Sequence, residues 1–526
     1  MSEASAPTRS DQRVIVGQTG QNVAGLLVGA LATFGAQILM SRRLGPEAFG
    51  IVVATTQFAF IAAAFTRFGM DVANVRLVSI LVGRGEAGRA TGLVRRSAAI
   101  ALVVSAIAGV AVFVGAPWLA ETFSGLPAIA TPAFRWAAVT IPIAALAFTY
   151  LGATRGLKIM IYTLAGQFVA QPIGWIVLTV VFWAIAAATA GWASAAFAAS
   201  WGVALAIAVG GWTIQRRRLP APAGEGIPEE HTGALLRFGA LRAPATLFSQ
   251  LLFFTDFYVV SLLYAGNAAA GAAAVGVYGA VLRAAQALFL FLASVSLTFS
   301  PFVADLHHRG EREQLDHLYK QVTRWALTAT IPVLLVLIVL PAQVLRLFGP
   351  GFETGAPALR IVALGMIVPV IVGTVGFILI MAGRTGWDLL VYVTAFAIDV
   401  AVALWLAQLD VLGIRGAAIA QACTLTFSAV ARLLLVRRFL GIWPFDGWYR
   451  RLIPAALAGA AVMALVHLAL PQGAWLVNLV VAALAGVAVY GVAALGFALP
   501  PNERTMARRL AGKVRGRGGA SASRRP

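Results

Sequence analysis

Residues Ser97–Leu119 read SAAIALVVSAIAGVAVFVGAPWL, twenty-three residues without one charge, directly after Arg95 and Arg96. A helix rises 1.5 Å per residue, so such a run crosses the roughly 30 Å hydrocarbon core of a bilayer and bonds all its backbone groups within itself. The same kind of run recurs along the 526 residues. Before it lie Val23–Met40 and Gly50–Thr66, and after it Trp136–Ala153, Tyr162–Ala184 and Trp192–Ile214. Further runs are Ala245–Tyr264, Val277–Phe302, Trp325–Leu345, Ile361–Met381, Trp387–Ala407, Gly416–Val436, Leu452–Leu470 and Trp475–Leu499. The reading is an all-α polytopic membrane protein of about fourteen transmembrane helices. Composition agrees. The chain is 60% hydrophobic and 11% charged, with mean hydropathy +0.86, against roughly 25% charged in soluble domains. Abundant Gly and Ala inside the runs suit close packing where lipid replaces water.

The net charge of +20 does not point to nucleic acid, because the basic residues sit in short clusters between apolar runs rather than on one stripe with aromatics between them. Such clusters are a topology signal. With the N-terminus in the cytoplasm and loops assigned alternately, about 32 Lys and Arg fall inside and about 6 outside. The inner set includes Arg84, Arg89, Arg95 and Arg96, then Arg155 and Lys158, then Arg216–Arg218. The outer six are Arg42, Arg43, Arg135, Arg346, Arg360 and Arg415. Both termini are therefore expected in the cytoplasm. The polar N-terminal segment lacks a signal-peptide pattern, so the first span is expected to act as an uncleaved anchor. The single cysteine, Cys423, has no partner, and His231, His307, His308, His317 and His467 have no ligand spacing, so no intrachain disulfide, metal site or cofactor is expected.

Residues 1–22 form an N-terminal tail, 23–214 a first lobe of six spans and 215–244 a cytoplasmic linker containing Leu219-Pro220-Ala221-Pro222-Ala223-Gly224. Residues 245–436 form a second lobe, 437–499 the last two spans, and 500–526 a basic tail, read either as lying on anionic headgroups or as a solvated topology signal. The lobes look alike. Phe49-Gly50-Ile51-Val52-Val53-Ala54 matches Val275-Gly276-Val277-Tyr278-Gly279-Ala280, and Arg84-Gly85-Glu86 matches Arg309-Gly310-Glu311. The order and near-constant offset mark an internal repeat. Six spans, an even number, separate the copies, so the lobes are expected to be parallel, related by a pseudo-two-fold axis along the membrane normal.

Leu44-Gly45-Pro46-Glu47-Ala48-Phe49-Gly50 resembles a segment of the bacterial polysaccharide and oligosaccharide-lipid flippases, members of the multidrug/oligosaccharidyl-lipid/polysaccharide exporter superfamily. Val275-Gly276-Val277-Tyr278 with Arg283, Ser300-Pro301 leading to Asp305, and Gly413-Ile414-Arg415-Gly416-Ala417-Ala418-Ile419-Ala420 are similar to other parts of the same group. The resemblance implies two six-helix bundles in a V around a central cavity, and alternating access. It implies as substrate an isoprenoid diphosphate carrying an oligosaccharide, a precursor of polysaccharide, O-antigen or exopolysaccharide. It further implies the bacterial inner membrane, contact with membrane lipids and other polysaccharide assembly proteins, and a monomer. The last two spans exceed the twelve of drug exporters and are similar to those that form a lipid-tail groove in lipid II flippases.

Ionisable groups cost about 2.5–3.5 kcal/mol at a helix centre on insertion scales, so those inside the runs draw attention first. Arg283 and Asp256 fall at similar depth on neighbouring spans. Arg283 is read either as the diphosphate ligand or, with Asp256, as a structural ion pair. Asp399 stands mid-span without an obvious partner and is read either as a proton or cation coupling site or as a packed, hydrogen-bonded group. Arg67 and Arg242, near the inner span ends, can receive a phosphate or simply snorkel; Arg135 and Arg360 are their outer counterparts. Asp71 and Arg76 are expected to fix the turn after the second span. Gln37, Gln57, Gln250 and Gln286 can bond sugars or neighbouring helices. One firm intramembrane arginine is fewer than the cationic cavity of the family leads one to expect. The rival readings are a multidrug/cation antiporter, which Asp256 and Asp399 would serve, and a membrane-embedded polysaccharide polymerase. The polymerase lacks support, since the outer loops are short and carry no paired carboxylates for acid-base catalysis.

Overall fold

The computed structural model describes residues 9–220, 229–264, 271–289 and 310–500, apart from residues 84, 374, 383, 408–411 and 472. The described residues contain helices and no strand. Among the described residues thirteen helices are long and apolar enough to cross a membrane, and the first of them, Val28–Thr66, takes in most of the first expected span and all of the second. Its 39 residues would reach about 58 Å as one rod, nearly twice the hydrocarbon core. The chain leaves helical geometry within it at Gly45, φ 74° and ψ 176°, just before Pro46. That conformation is essentially reserved for glycine. Both arms belong to α1 (Arg9–Thr66).

A short helix, α2 (Met70–Gly83), follows, with Asp71 in its first turn and paired to Arg67. Then come α3 (Ala90–Ser124), α4 (Pro127–Gly156), α5 (Gln171–Ile185) and α6 (Ala190–Arg216). Gly125, φ 61°, ends α3 and Pro127 opens α4, the usual division of labour between glycine and proline at helix ends. The helix α5 is entered through a wider π-helical segment, Leu164–Ala170. The second half holds α7 (Glu229–Tyr264), α8 (Gly271–Phe289) and α9 (Arg312–Val339). It continues with α10 (Ala356–Gly365), α11 (Thr385–Ala407), α12 (Ile414–Leu440), α13 (Tyr449–Ala469) and α14 (Trp475–Ala493). Ser300, Pro301, Asp305, His307, His308 and Arg309, with the distal part of the expected eighth span and the basic tail, lie outside the described residues.

One expected span is interrupted, and several helices begin well before the expected bounds, Glu229 rather than Ala245 among them. The expected helix Ile361–Met381 is broken, resuming as Ile367–Val372 and Val375–Met381. At the second break Gly373 takes φ 72° and packs so tightly that a Cβ there would meet Thr323 Cγ2 at 2.4 Å. The ninth helix starts at Arg312 rather than Trp325, because its first turns are polar and extend beyond the apolar core that hydropathy detects.

In the first half α4 packs against α1, α2, α3 and α6; in the second, α12 packs against α7, α10 and α11. The helices α13 and α14 pair with each other and lean on α9. The halves meet backbone to backbone at two equivalent points of the repeat. A Cβ on Gly50 would lie 2.8 Å from Gly276 N, and one on Gly276 would lie 1.8 Å from Pro46 O. Phe49 packs beside this contact, 5.7 Å from the Phe352 ring. Equivalent residues that touch lie close to the axis relating their repeats.

Contacts near the helix ends fall into two groups. At one end, Arg42 donates to the carbonyls of Leu347 (2.8 Å) and Arg346 (3.3 Å) and sits over the Trp475 ring. At the other, Ser79 donates to Gly156 O at 2.8 Å, Gly69 packs on Arg242, and Arg324 pairs with Asp446.

Candidate functional site

A cavity of about 500 Å³ lies between the halves. Both arms of α1 contribute to it with Gln37 and Gln57, α5 with Gln171 and Trp175, and α6 with Phe197 and Trp201. From the second half come Gln250, Phe253 and Phe254 of α7, Arg283 and Gln286 of α8, and Gly373 and Gly376 around the break between Ile367–Val372 and Val375–Met381. In α5, α6, α7 and α8 these residues are three or four apart, which puts each set on one face. Thr56, also on the wall, returns its hydroxyl to Val52 O at 2.6 Å, so the backbone absorbs that polar group.

Arg283 is the one charged side chain among the described residues lining this cavity. Its guanidinium donates to Gln286 Oε1 at 3.2 Å and lies 6.0 Å from the Phe254 ring centre. No ion pair joins it to Asp256, so that alternative reading fails. The two groups leave their helices in different directions: Arg283 lines the cavity, whereas Asp256 is fully buried behind its wall.

Asp256 instead interacts electrostatically with Asp399 on α11, and both of its carboxylate oxygens are buried without a hydrogen-bond partner among the described residues. Asp399, also fully buried, accepts a bond from Thr424 Oγ1 of α12 at 2.9 Å. The partner that was not obvious in the sequence is Thr424, on a neighbouring helix. Two bare carboxylates in an apolar interior repel, and a proton or cation between them relieves the repulsion.

Of the expected site residues, Arg283, Gln37, Gln57, Gln250 and Gln286 are brought together at the cavity. Arg67 and Arg242 are not. Arg67 pairs with Asp71 (3.3 Å) and stacks 4.5 Å over Phe148, while Arg242 packs on Gly69. Arg135 lies over Phe113, and Arg360 donates to Ile338 O at 3.0 Å. Arg76 is exposed on α2. The reading from sequence missed Gln171, Trp175 and Trp201. Their signal was depth: both tryptophans fall mid-span, whereas membrane tryptophans concentrate at the interfaces.

An apolar groove of about 640 Å³ adjoins the cavity, sharing Gln37, Phe60, Trp201, Arg283 and Gln286 with it and adding Leu31, Phe34, Phe168 and Val333. Leu31 is 72% exposed on the outer surface. A second apolar groove, about 760 Å³, runs between α9 and α13 from Leu334 and Leu457 to Arg450 and Asp446.

The fold is shared with solved membrane transporters. An inward-facing multidrug resistance MATE family transporter of the MOP superfamily superposes with TM-score 0.66 at 16% identity, over 80% of this chain and 98% of that one. The lipid II flippase MurJ in an inward closed conformation gives 0.64 at 13% identity, over 90% and 97%. A MOP superfamily transporter from Pyrococcus furiosus gives 0.59 at 17% identity, over 81% and 95%. No curated protein matches the chain. A MatE family model matches residues 245–405, and the model for polysaccharide biosynthesis proteins matches residues 18–307. Since that second match takes in more than half of a multi-pass membrane chain, the chain belongs to the polysaccharide biosynthesis protein family.

Proposed function

We propose that this chain is a flippase that moves a lipid-diphosphate-linked oligosaccharide from the cytoplasmic to the outer leaflet of the bacterial inner membrane by alternating access between its two lobes. The observation that carries the reading is Arg283, the one charge on the described cavity wall, placed where the cavity opens into an apolar groove. A diphosphate needs a cation, a glycan needs polar room, and an isoprenoid chain needs an apolar way out to lipid; these three meet at Arg283. The guanidinium suits phosphate oxygens geometrically. The groove between α9 and α13 offers a further apolar seat for the isoprenoid chain. A multidrug/cation antiporter would place its acids in the cavity, but Asp256 and Asp399 are buried behind the wall. They serve instead as the site of proton or cation coupling. In this reading the lobes are 23–214 and 245–436, joined by the 215–244 linker, both termini are cytoplasmic, the protein acts as a monomer, and it works alongside other polysaccharide assembly proteins.

The test is deletion of the gene in its native host with labelling of polyprenyl-diphosphate-linked sugars in each leaflet. Inner-leaflet accumulation and loss of surface polysaccharide, rescued by wild type but not by Arg283→Ala, support the reading. Unchanged leaflet distribution, with altered drug tolerance or polymer length alone, overturns it. Loss of one charge-assisted contact of about 1.5–3 kcal/mol predicts roughly a 10- to 100-fold weaker binding of lipid diphosphate to Arg283→Ala. Coupling predicts that Asp256→Asn and Asp399→Asn each abolish the response of transport to an imposed proton or cation gradient. A gradient response equal to wild type in both removes the pair from that role.

A further inference from the structure

We infer that the cavity reads the sugars themselves, and that it selects uncharged, hydroxyl- and acetamido-bearing sugars next to the diphosphate over acidic ones; this rests on the flippase reading above. The wall is built from amides and aromatic rings. Gln37, Gln57, Gln171, Gln250 and Gln286 line it, and no acid and no second base appears among the described lining residues. Every amide brings one carbonyl acceptor as well as its donors. A phosphate or carboxylate oxygen can only accept, so it satisfies the donors and leaves the carbonyls without a partner. A hydroxyl or an acetamido group does both.

Two groups in the cavity wall lack the partners that such a ligand supplies. Gln37, 1% exposed, has a buried amide oxygen with no hydrogen-bond partner, and Trp201, 3% exposed, has a buried indole N–H with none. The first lacks a donor and the second an acceptor; both residues line the same cavity, with these two atoms set back in its wall, so a ligand group meets them once the side chain turns outward. Leaving either buried and unpaired costs stability, so each favours a ligand that completes it. The neighbouring Trp175 differs: its indole N–H is used by Ala193 O at 3.1 Å, which fixes the ring against the wall and leaves its face. Phe197 meets that ring edge-on, centroids 4.8 Å apart. Aromatic faces carry negative charge and attract the polarised C–H groups of a sugar ring. The cavity's 500 Å³ is in the range of small-molecule pockets, about 300–1,000 Å³, so it encloses a few sugar rings rather than a polymer.

Charge supplies the discrimination. Arg283 is committed to the diphosphate, and a uronic acid would bring a second anion among carbonyl oxygens with no cation left to meet it. Against such a glycan the wall is repulsive as well as unrewarding.

The test uses the full-length protein in lipid nanodiscs and tryptophan quenching as the readout. Three ligands are compared: bare polyprenyl diphosphate, the same lipid carrying a neutral trisaccharide that includes an N-acetylhexosamine, and that trisaccharide with one hexose replaced by a hexuronic acid. The neutral form is expected to bind at least tenfold more tightly than either of the others. In Trp201→Phe, which keeps the ring face and removes the N–H, and in Gln37→Leu, the ratio of neutral to bare-lipid affinity is expected to fall several-fold. Equal affinities for all three ligands, or tightest binding of the acidic form, overturn the inference while leaving the flippase reading intact. Binding of a lipophilic cation with none of the three lipids overturns the flippase reading itself.

Discussion

Arg432 and Asp388 hold each other at 2.7 Å in a buried pair between α12 and α11. Ser428 accepts a second bond from the guanidinium, and the Tyr392 ring lies 4.2 Å beneath it. Removing one partner strands the other as an uncompensated buried charge, at a cost of about 3–5 kcal/mol, whereas replacing both with neutral groups is far milder. Arg432→Leu is therefore expected to lower the thermal unfolding midpoint sharply, and Arg432→Leu combined with Asp388→Leu to recover most of the loss. If the double variant unfolds no later than the single, the pair is not what stabilises this junction. This pair was illegible in the sequence although Arg283 was not. Arg283 interrupts an apolar run, which flags itself. Asp388 and Arg432 sit at span ends, where a charge reads as ordinary snorkelling, and they are 44 residues apart. The same separation problem hid Thr424 from Asp399, because only the packing of α11 on α12 brings them together.

The elements were legible where the bilayer itself imposes the rule. An apolar run of bilayer length has few alternatives to a helix, so the spans could be read with their order. Irregularities inside them could not. The break at Gly373 depends on Thr323 of another helix, and a π-helical entrance to α5 has no composition of its own. Gly45 shows what such a position is worth. A Cβ there would meet nothing within 4 Å, so Gly45→Ala isolates backbone strain from crowding. It is expected to cost about 1–3 kcal/mol, since an alanine must hold a conformation open essentially to glycine alone. Gly115→Ala in α3, equally free of neighbours but in ordinary helical geometry, is expected to be neutral or to stabilise by up to ~1 kcal/mol. Equal unfolding midpoints for the two variants would remove the strain assignment at the kink.

For the whole molecule, the repeat predicted from Phe49-Gly50 and Val275-Gly276 was legible as a pattern, but the meeting of its two copies was not, because periodicity says nothing about which equivalent residues lie near the axis. With Pro46 O only 1.8 Å from where a Gly276 Cβ would stand, Gly276→Val must drive the lobes apart at that rim. In a Cys423→Ser background, a cysteine placed at Gln57 is expected to react several-fold faster with a membrane-impermeant thiol reagent applied from the Arg42 side. An unchanged rate from that side would mean the glycine contact does not seal the cavity.

The same contact has an electrical meaning. One elementary charge crossing a membrane poised at 100 mV releases about 2.3 kcal/mol, so a cavity wet from both sides would drain the potential with every ion that slipped through. Side chains flicker between rotamers and let water pass between them; two apposed backbones do not. Where Gly50 meets Gly276, the two halves touch through the stiffest material a polypeptide has. On the proposed flippase reading, a bulky sugar-lipid can then be housed in the middle of the bilayer while the membrane stays insulating.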